Sequence, residues 1–140
     1  MNIINIAKHV INRCLEIDRP ISNFQLQKIL YFVEGEFYKS QGFWLTDAKY
    51  YAWKFGPVNK EVYSEYCVYG GGCIYEQAKD VIDDHTKRII DPFIDKYARM
   101  SASRLVELSH KKGGAWDSVY DGNNNTEIER IYIKNEFNPN

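Results

Sequence analysis

The fold is decided by the stretch Tyr51-Ala52-Trp53-Lys54-Phe55-Gly56-Pro57-Val58, which is followed by Glu61, Val62 and Tyr63. Aromatic residues alternate with others over residues 49–55, a pattern that predicts a short β-strand. Because side chains alternate in a strand, the odd-numbered residues face one side and the even-numbered residues face the other. One side is expected to belong to the core and the other to be available to a partner. Pro57 suits a first helical turn, so the strand is expected to turn directly into a helix at the Gly-Pro corner.

Two helices are predicted before this stretch. Apolar residues follow helical spacing over residues 3–17, and Asp18-Arg19-Pro20 ends the first helix. Ser22 or Asn23 can cap a second helix, and Gly42 is expected at its C-terminal end. Apolar side chains cover more than one face of the second helix, so we expect it to be the central helix of the fold.

Shorter elements are predicted after the stretch. A third helix is expected to end at Gly70-Gly71-Gly72, and residues 73–76 to form a second strand that pairs with the first. Another helix begins at Asp83 or Asp84, and Pro92 either kinks it or begins a fresh helix capped by Asp91. The remaining expected elements are a helix capped by Ser101 and ended by Gly113-Gly114, a short turn beginning at Trp116, and a terminal element over residues 129–137.

The predicted fold class is mainly α with a small antiparallel β-sheet, an α+β fold. A length of 140 residues suits one compact domain over residues 1–140, with about five to six helices. The chain is 44% hydrophobic and 26% charged, which is typical of a soluble globular protein.

Charge and cysteine content limit the classes of function. Eighteen basic and nineteen acidic residues give a net charge of −1, so nucleic-acid binding is disfavoured. Three cysteines, an odd number, and a start without signal-peptide features predict reduced thiols and a cytoplasmic location. The longest uninterrupted apolar run, residues 29–33, is far shorter than the roughly 20 residues that span a bilayer, so no membrane partner is expected. No feature specifies an oligomeric state.

Patterns typical of metal or catalytic sites are missing from the sequence. The three histidines are scattered, and Cys67 and Cys73 lie on either side of a glycine run, which is not ligand spacing for zinc. No nucleophile-elbow motif occurs, and Gly70-Gly71-Gly72 is not followed by the residues of a phosphate loop. The sequence therefore predicts a protein that is not an enzyme, with no catalytic residue, metal or cofactor. Its 15% aromatic residues either fill the core or anchor a protein interface.

Two polar residues have unusual surroundings. Lys28 lies within the most apolar helix, where it either extends its ammonium into water or is buried and must be paired. His110 precedes Lys111-Lys112-Gly113-Gly114 at a predicted helix end. There the imidazole is expected to bond exposed carbonyls or to benefit from the helix dipole, and a role in recognition is the alternative.

The ordered blocks of this sequence resemble the Panacea-domain family, also called SocA-like antitoxins, which includes phage-associated GepA-like proteins. The most specific part is the Trp-x-x-Gly-Pro-Val block that follows a Leu-Gln-Lys-x-Leu-Tyr block. The likeness extends over residues 5–120. The matching segments are Ile6-Ala7, residues 21–32, residues 52–58 with Glu61-Val62-Tyr63, residues 101–105, Ser109-His110 and Ala115-Trp116.

The resemblance implies a protein-binding function without enzymatic activity or cofactor. Members of the family are antitoxins of two-gene toxin–antitoxin systems, often on prophages or other mobile elements, and they neutralise small toxins by direct contact. One branch acts as an adaptor that delivers its toxin to a protease. The implied partners are therefore a cognate toxin protein and, for an adaptor, a ClpXP-type protease. The alternative is a phage- or prophage-encoded binding protein that inhibits or redirects a host defence or proteolysis factor.

The resemblance also marks candidate residues. Gly56 and Pro57 are expected to form a backbone corner, against which Trp53 and Tyr63 pack and which Tyr31 closes; direct contact with the partner is the alternative role for Trp53 and Tyr63. Neighbours of the corner are the candidates for partner contact, namely Tyr50, Tyr51, Lys54, Phe55 and Asn59. The family-signature residues with an expected structural role are Leu26, Lys28, Tyr31, Trp53, Gly56, Pro57, Val58, Tyr63, His110 and Trp116.

Overall fold

Seven α-helices pack with a three-stranded antiparallel sheet in the computed structural model, which describes residues 1–80 and 82–139. Val81 and Asn140, which belong to the expected 1–140 domain, lie outside the described residues. The α+β fold is confirmed, with more helices than the five to six expected because the two predicted C-terminal elements are both helical. The elements are α1 (Ile3–Glu16), α2 (Asn23–Gln41), β1 (Tyr50–Trp53), β2 (Gly56–Val58), α3 (Lys60–Tyr66), a 3₁₀ helix (Cys67–Tyr69), α4 (Asp84–Ala98), α5 (Ala102–Ser109), α6 (Ala115–Val119), β3 (Glu127–Ile128) and α7 (Arg130–Phe137).

The helix ends follow local capping signals. Ser22 accepts a hydrogen bond from the backbone N–H of Gln25, whose side chain accepts one from the N–H of Ser22, so α2 begins with a capping box. Gly42 ends the same helix in the left-handed conformation, at φ +82°. Asp83 and Ser101 cap α4 and α5, as predicted. None of the helices in the described ranges is both long and apolar enough to cross a membrane.

Helix α2 is central, as predicted. It packs against α1, α3, α4, α5 and α7 and against strand β2, and one continuous apolar cluster surrounds it. Helix α4 continues through Pro92, so the alternative of a fresh helix capped by Asp91 is wrong. Asp91 instead bonds Nε2 of His9 at 2.6 Å and ties α4 to α1.

The sheet differs from the predicted one in two respects. Strands β1 and β2 form a hairpin in which Trp53 pairs with Gly56, so the Gly-Pro corner belongs to a strand and not to a helix. Pro57 has no N–H to donate. It is tolerated there because β2 is an edge strand, which pairs with β1 alone among the three strands. Residues 73–76 form only an isolated bridge, between Cys73 and Ser22, and the second neighbour of β1 is the two-residue strand β3.

Candidate functional site

An open pocket of about 230 Å³ lies between the first turns of α2, the β1–β2 hairpin and the start of α3. It brings together four family-signature residues and two of the residues predicted to contact a partner. The loop before β3 also contributes to the lining, through Asn124. The lining residues are Phe24, Gln27, Lys28, Trp53, Lys54, Phe55, Val58, Tyr63 and Asn124.

Exposed aromatic rings surround the mouth of this pocket. Phe55 is 51% exposed, Tyr63 41% and Phe24 37%. Phe55 is exposed because it occupies, with Lys54, the two-residue turn of the hairpin. Its ring centroid lies 6.2 Å from that of Phe24, and Tyr63 packs edge-to-face on Trp53 at 5.0 Å. We call Phe24, Phe55 and Tyr63 the aromatic rim. Clustered exposed rings of this kind are typical of protein interfaces.

Lys28 contributes a positive charge to the lining of the pocket. It is only 2% exposed, and its Nζ lies 4.4 Å from the centroid of the Phe24 ring. Among the described residues, its ammonium has neither a carboxylate within ion-pair distance nor a hydrogen-bond partner. Burial lowers the pKa of Lys28 from 10.5 to about 8. The stem of Lys28 is buried while its Nζ keeps contact with solvent at the pocket, so the first predicted alternative holds, and the expectation of a fully buried and paired ammonium is wrong.

Gly56 allows the hairpin to approach α2 and α5 closely. Its φ of +119° lies in a region that side chains rarely adopt, and a Cβ there would lie 2.6 Å from Ser109 Oγ and 3.0 Å from Lys28 Cε. The conformation and the space therefore both require glycine. The Gly-Pro corner was predicted, but its contact with Lys28 and Ser109 was not.

A stacked pair of rings supports the pocket from behind. His110 and Trp116 lie parallel at 3.6 Å, and Trp116 Nε1 donates a hydrogen bond to the backbone oxygen of Trp53 at 2.6 Å. The prediction that His110 bonds helix-end carbonyls is wrong, because its buried Nε2 has no partner among the described residues. Burial and the nearby charge of Lys28 lower the pKa of His110.

Two residues predicted to contact a partner are buried, and that expectation is wrong for both. Tyr50 is fully buried because it lies on the inner face of β1, where it packs edge-to-face on Tyr31 at 5.5 Å. Asn59, 4% exposed, caps α3 by accepting a hydrogen bond from the N–H of Val62 and donates one to the backbone oxygen of Lys49. The predicted alternation of faces is nevertheless correct over β1, and it ends at the turn, where Lys54 and Phe55 are both exposed.

The remaining predicted residues lie outside the pocket lining. Tyr51 is half-buried beneath the ammonium of Lys60, 4.0 Å from its ring centroid, and borders a different depression. Leu26 is in the core, and Pro57 pairs with Ala52 in the sheet. Tyr31 does not close the Gly-Pro corner, since its hydroxyl donates to Glu136 and its ring packs on Tyr50; that expectation is wrong.

Three lining residues were missed by sequence reasoning. Phe24 had a usable signal, because it is an aromatic residue in the first turn of an otherwise buried helix. Gln27 and Asn124 had none, since their places depend on how distant segments pack. Within the described residues, no three His, Cys, Asp or Glu side chains are grouped closely enough to hold a metal ion.

Comparisons with known proteins identify the family of this chain. Residues 26–117 match the family described as antitoxin SocA-like, Panacea domain, and this range includes seven of the nine lining residues, all but Phe24 and Asn124, together with His110 and Trp116. Over 130 residues the chain is 35% identical to antitoxin SocA of Caulobacter vibrioides (strain NA1000 / CB15N). The alignment covers 84% of this chain and 69% of that protein. No solved structure matches the chain. The chain therefore belongs to the SocA-like antitoxins, the family that carries the Panacea domain.

Proposed function

We propose that this protein neutralises a cognate toxin protein by direct binding and that the aromatic rim is part of the contact surface. Family membership supports an antitoxin role. The proposed position of the contact surface is supported by the exposure of three clustered rings, Phe24, Phe55 and Tyr63, next to a pocket. Such rings lose little side-chain entropy when a partner covers them, and they are enriched among the residues that dominate binding energy.

The dimensions suit a tight complex. A standard interface takes about 800 Å² from each partner, which is near a tenth of the 7313 Å² surface of this chain. Nanomolar affinity requires about −12 kcal/mol, and truncation of one anchoring aromatic residue commonly costs 2 kcal/mol or more. The rim and its neighbours can therefore supply a large part of the binding energy.

The proposal includes no catalytic step. The pocket offers aromatic faces and the ammonium groups of Lys28 and Lys54, which can recognise a partner, and the toxin is inactivated by being covered. The setting is the cytoplasm of the cell that makes both proteins, with the toxin gene adjacent on a prophage or other mobile element. Delivery of the toxin to a ClpXP-type protease is a possible second step for the same complex.

Co-expression with the product of the adjacent gene tests the proposal. We expect that product alone to stop growth, and this protein to restore growth and to copurify with it. Phe55→Ala is expected to weaken the complex about 30-fold or more, since an anchoring ring is lost. Phe43→Ala is the matched control, because Phe43 is 60% exposed and lies outside the pocket lining.

A neighbouring product without toxicity, or a toxin that forms no complex with this protein, would reject the proposal. If Phe43→Ala weakened the complex as much as Phe55→Ala, the location of the contact would be wrong. The half-life of the toxin separates the two modes of action. It should be shortened only in cells with an intact protease if this protein is an adaptor, and it should be unchanged if binding alone is enough.

A further inference from the structure

We propose that the pocket beside Lys28 receives the carboxylate of an aspartate or glutamate side chain from the toxin, while the aromatic rim covers the apolar part of the same segment. The proposal rests on the proposed function, because it names the chemical group of the partner that this surface recognises. A surface of rings alone would accept many partners, whereas a buried charge selects for an opposite charge.

Lys28 lies largely buried without a counter-charge among the described residues. Lys28 is only 2% exposed as a residue, and a lysine so deeply placed is usually paired, because removing a charge from water without compensation is costly. The ammonium lies 4.4 Å from the centroid of the Phe24 ring, and no described carboxylate lies within ion-pair distance. The protein therefore holds a charge whose counter-charge is absent from its own described residues.

The other buried polar groups that line the pocket already have partners, whereas the side chains of Lys54 and Tyr63 are exposed. Gln27 accepts a hydrogen bond from the N–H of Asn59 and donates one to Asn23. The backbone oxygen of Asn124 accepts a hydrogen bond from Trp53 Nε1 at 2.9 Å. Lys28 is thus the buried lining group that retains free hydrogen-bond donors.

The size and the charge of the pocket suit one carboxylate side chain. A pocket of about 230 Å³ is smaller than the roughly 300–1,000 Å³ of sites for drug-sized ligands, so it suits one side chain. Phosphate sites usually combine several donors, such as a helix N-terminus or an arginine cluster. Here a single buried ammonium matches a single carboxylate, and the surrounding rings exclude water and strengthen that pairing.

The pocket is already formed in the free protein. Gly56 brings the hairpin next to Lys28, and the hydrogen bond from Trp116 to the backbone of Trp53 holds the other side. A small carboxylate should therefore bind without the rest of the toxin. Charge-assisted hydrogen bonds are worth about 1.5–3 kcal/mol, which corresponds to about 10-fold to 150-fold in affinity.

Isovalerate and its neutral isostere isovaleramide are the probes. We would titrate each into protein labelled with ¹³C at lysine Cε and follow the Lys28 signal by NMR. Isovalerate is expected to shift that signal saturably, with a Kd on the order of 1–10 mM for so small a ligand. Isovaleramide is expected to bind at least about 10-fold more weakly. Equal binding of the two probes, or no saturable shift with isovalerate, would overturn the proposal.

Neutralisation of the toxin provides the second readout. Lys28→Met should weaken the complex about 10-fold or more, whereas Lys39→Met, at an exposed lysine on the same helix, should not. Normal neutralisation by Lys28→Met would overturn the carboxylate proposal and leave the antitoxin proposal intact. If isovalerate bound but no toxin were neutralised, the antitoxin proposal alone would fail.

Discussion

Replacing Lys28 with methionine should stabilise the folded protein. Methionine keeps the unbranched stem of the side chain and removes the buried ammonium. A fall in the pKa of Lys28 from 10.5 to about 8 corresponds to about 3 kcal/mol, because a tenfold change in an equilibrium is worth about 1.4 kcal/mol. The attraction between the ammonium and the Phe24 ring offsets about 0.5–1 kcal/mol of this. The expected gain is about 2–3 kcal/mol, or roughly 6–10 °C in Tm for a chain of this size.

The gain should depend on pH in a defined direction. Between the folded-state pKa of about 8 and the ordinary value of 10.5, the unfolded chain keeps a proton that the folded protein has lost. The free energy of unfolding of the unmodified protein therefore rises, relative to that of Lys28→Met, as pH increases through this window. The difference between the two proteins should be full at about pH 7 and nearly gone by about pH 10.5.

Urea denaturation at several pH values measures this difference directly. Lys39→Met serves as the control, because Lys39 is exposed and its replacement should change the free energy of unfolding by less than about 0.5 kcal/mol. The reasoning would be refuted if Lys28→Met destabilised the protein at neutral pH. A stability difference that stayed constant from neutral pH to pH 10.5 would refute it equally.

Three further substitutions test the architecture around the pocket. Gly56→Ala should destabilise the protein by about 1–3 kcal/mol in urea denaturation, because φ is +119° and the new Cβ would lie 2.6 Å from Ser109 Oγ. A smaller loss of stability would mean that the hairpin can shift. Trp116→Phe should lower the free energy of unfolding by about 1–2 kcal/mol because the hydrogen bond to the backbone of Trp53 is lost, and unchanged stability would contradict that bond. Burial raises the pKa of Asp80, but hydrogen bonds from His9 and a backbone N–H lower it more, so the net pKa is below its ordinary value. The stabilising effect of Asp80 is therefore lost as pH falls below about 4. Thermal melts at decreasing pH should show the Tm of Asp80→Asn approaching the Tm of the unmodified protein. A Tm difference that grew in acid would contradict the direction of the pKa shift.

Local signals predicted the helices, and nonlocal packing decided the sheet. The caps at Ser22, Gly42 and Asp83 satisfy backbone groups within a few residues, so the sequence is sufficient to place them. Pro57 fits both a first helical turn and an edge strand, and only the pairing of β1 with β2 selects the second. Strand β3 has two residues and no periodicity to detect.

The candidate site was predicted in part for the same reason. The family resemblance marked residues that are distant in sequence, and the fold brings Lys28, Trp53 and Tyr63 to one pocket. Burial could not be predicted for Asn59, because a capping asparagine and an exposed one look alike in sequence. The unpaired state of Lys28 also depends on which side chains surround it, and helical spacing gives no information about them.

The pKa of Lys28, measured with and without bound toxin, tests the central claim most directly. Lysine labelled with ¹³C at Cε would report it by NMR in the free protein and in the purified complex. The account predicts a pKa of about 8 in the free protein and a rise to 10.5 or above in the complex, because a partner carboxylate would favour the charged form. A pKa that stayed near 8 in the complex, or one already at its ordinary value in the free protein, would contradict the account.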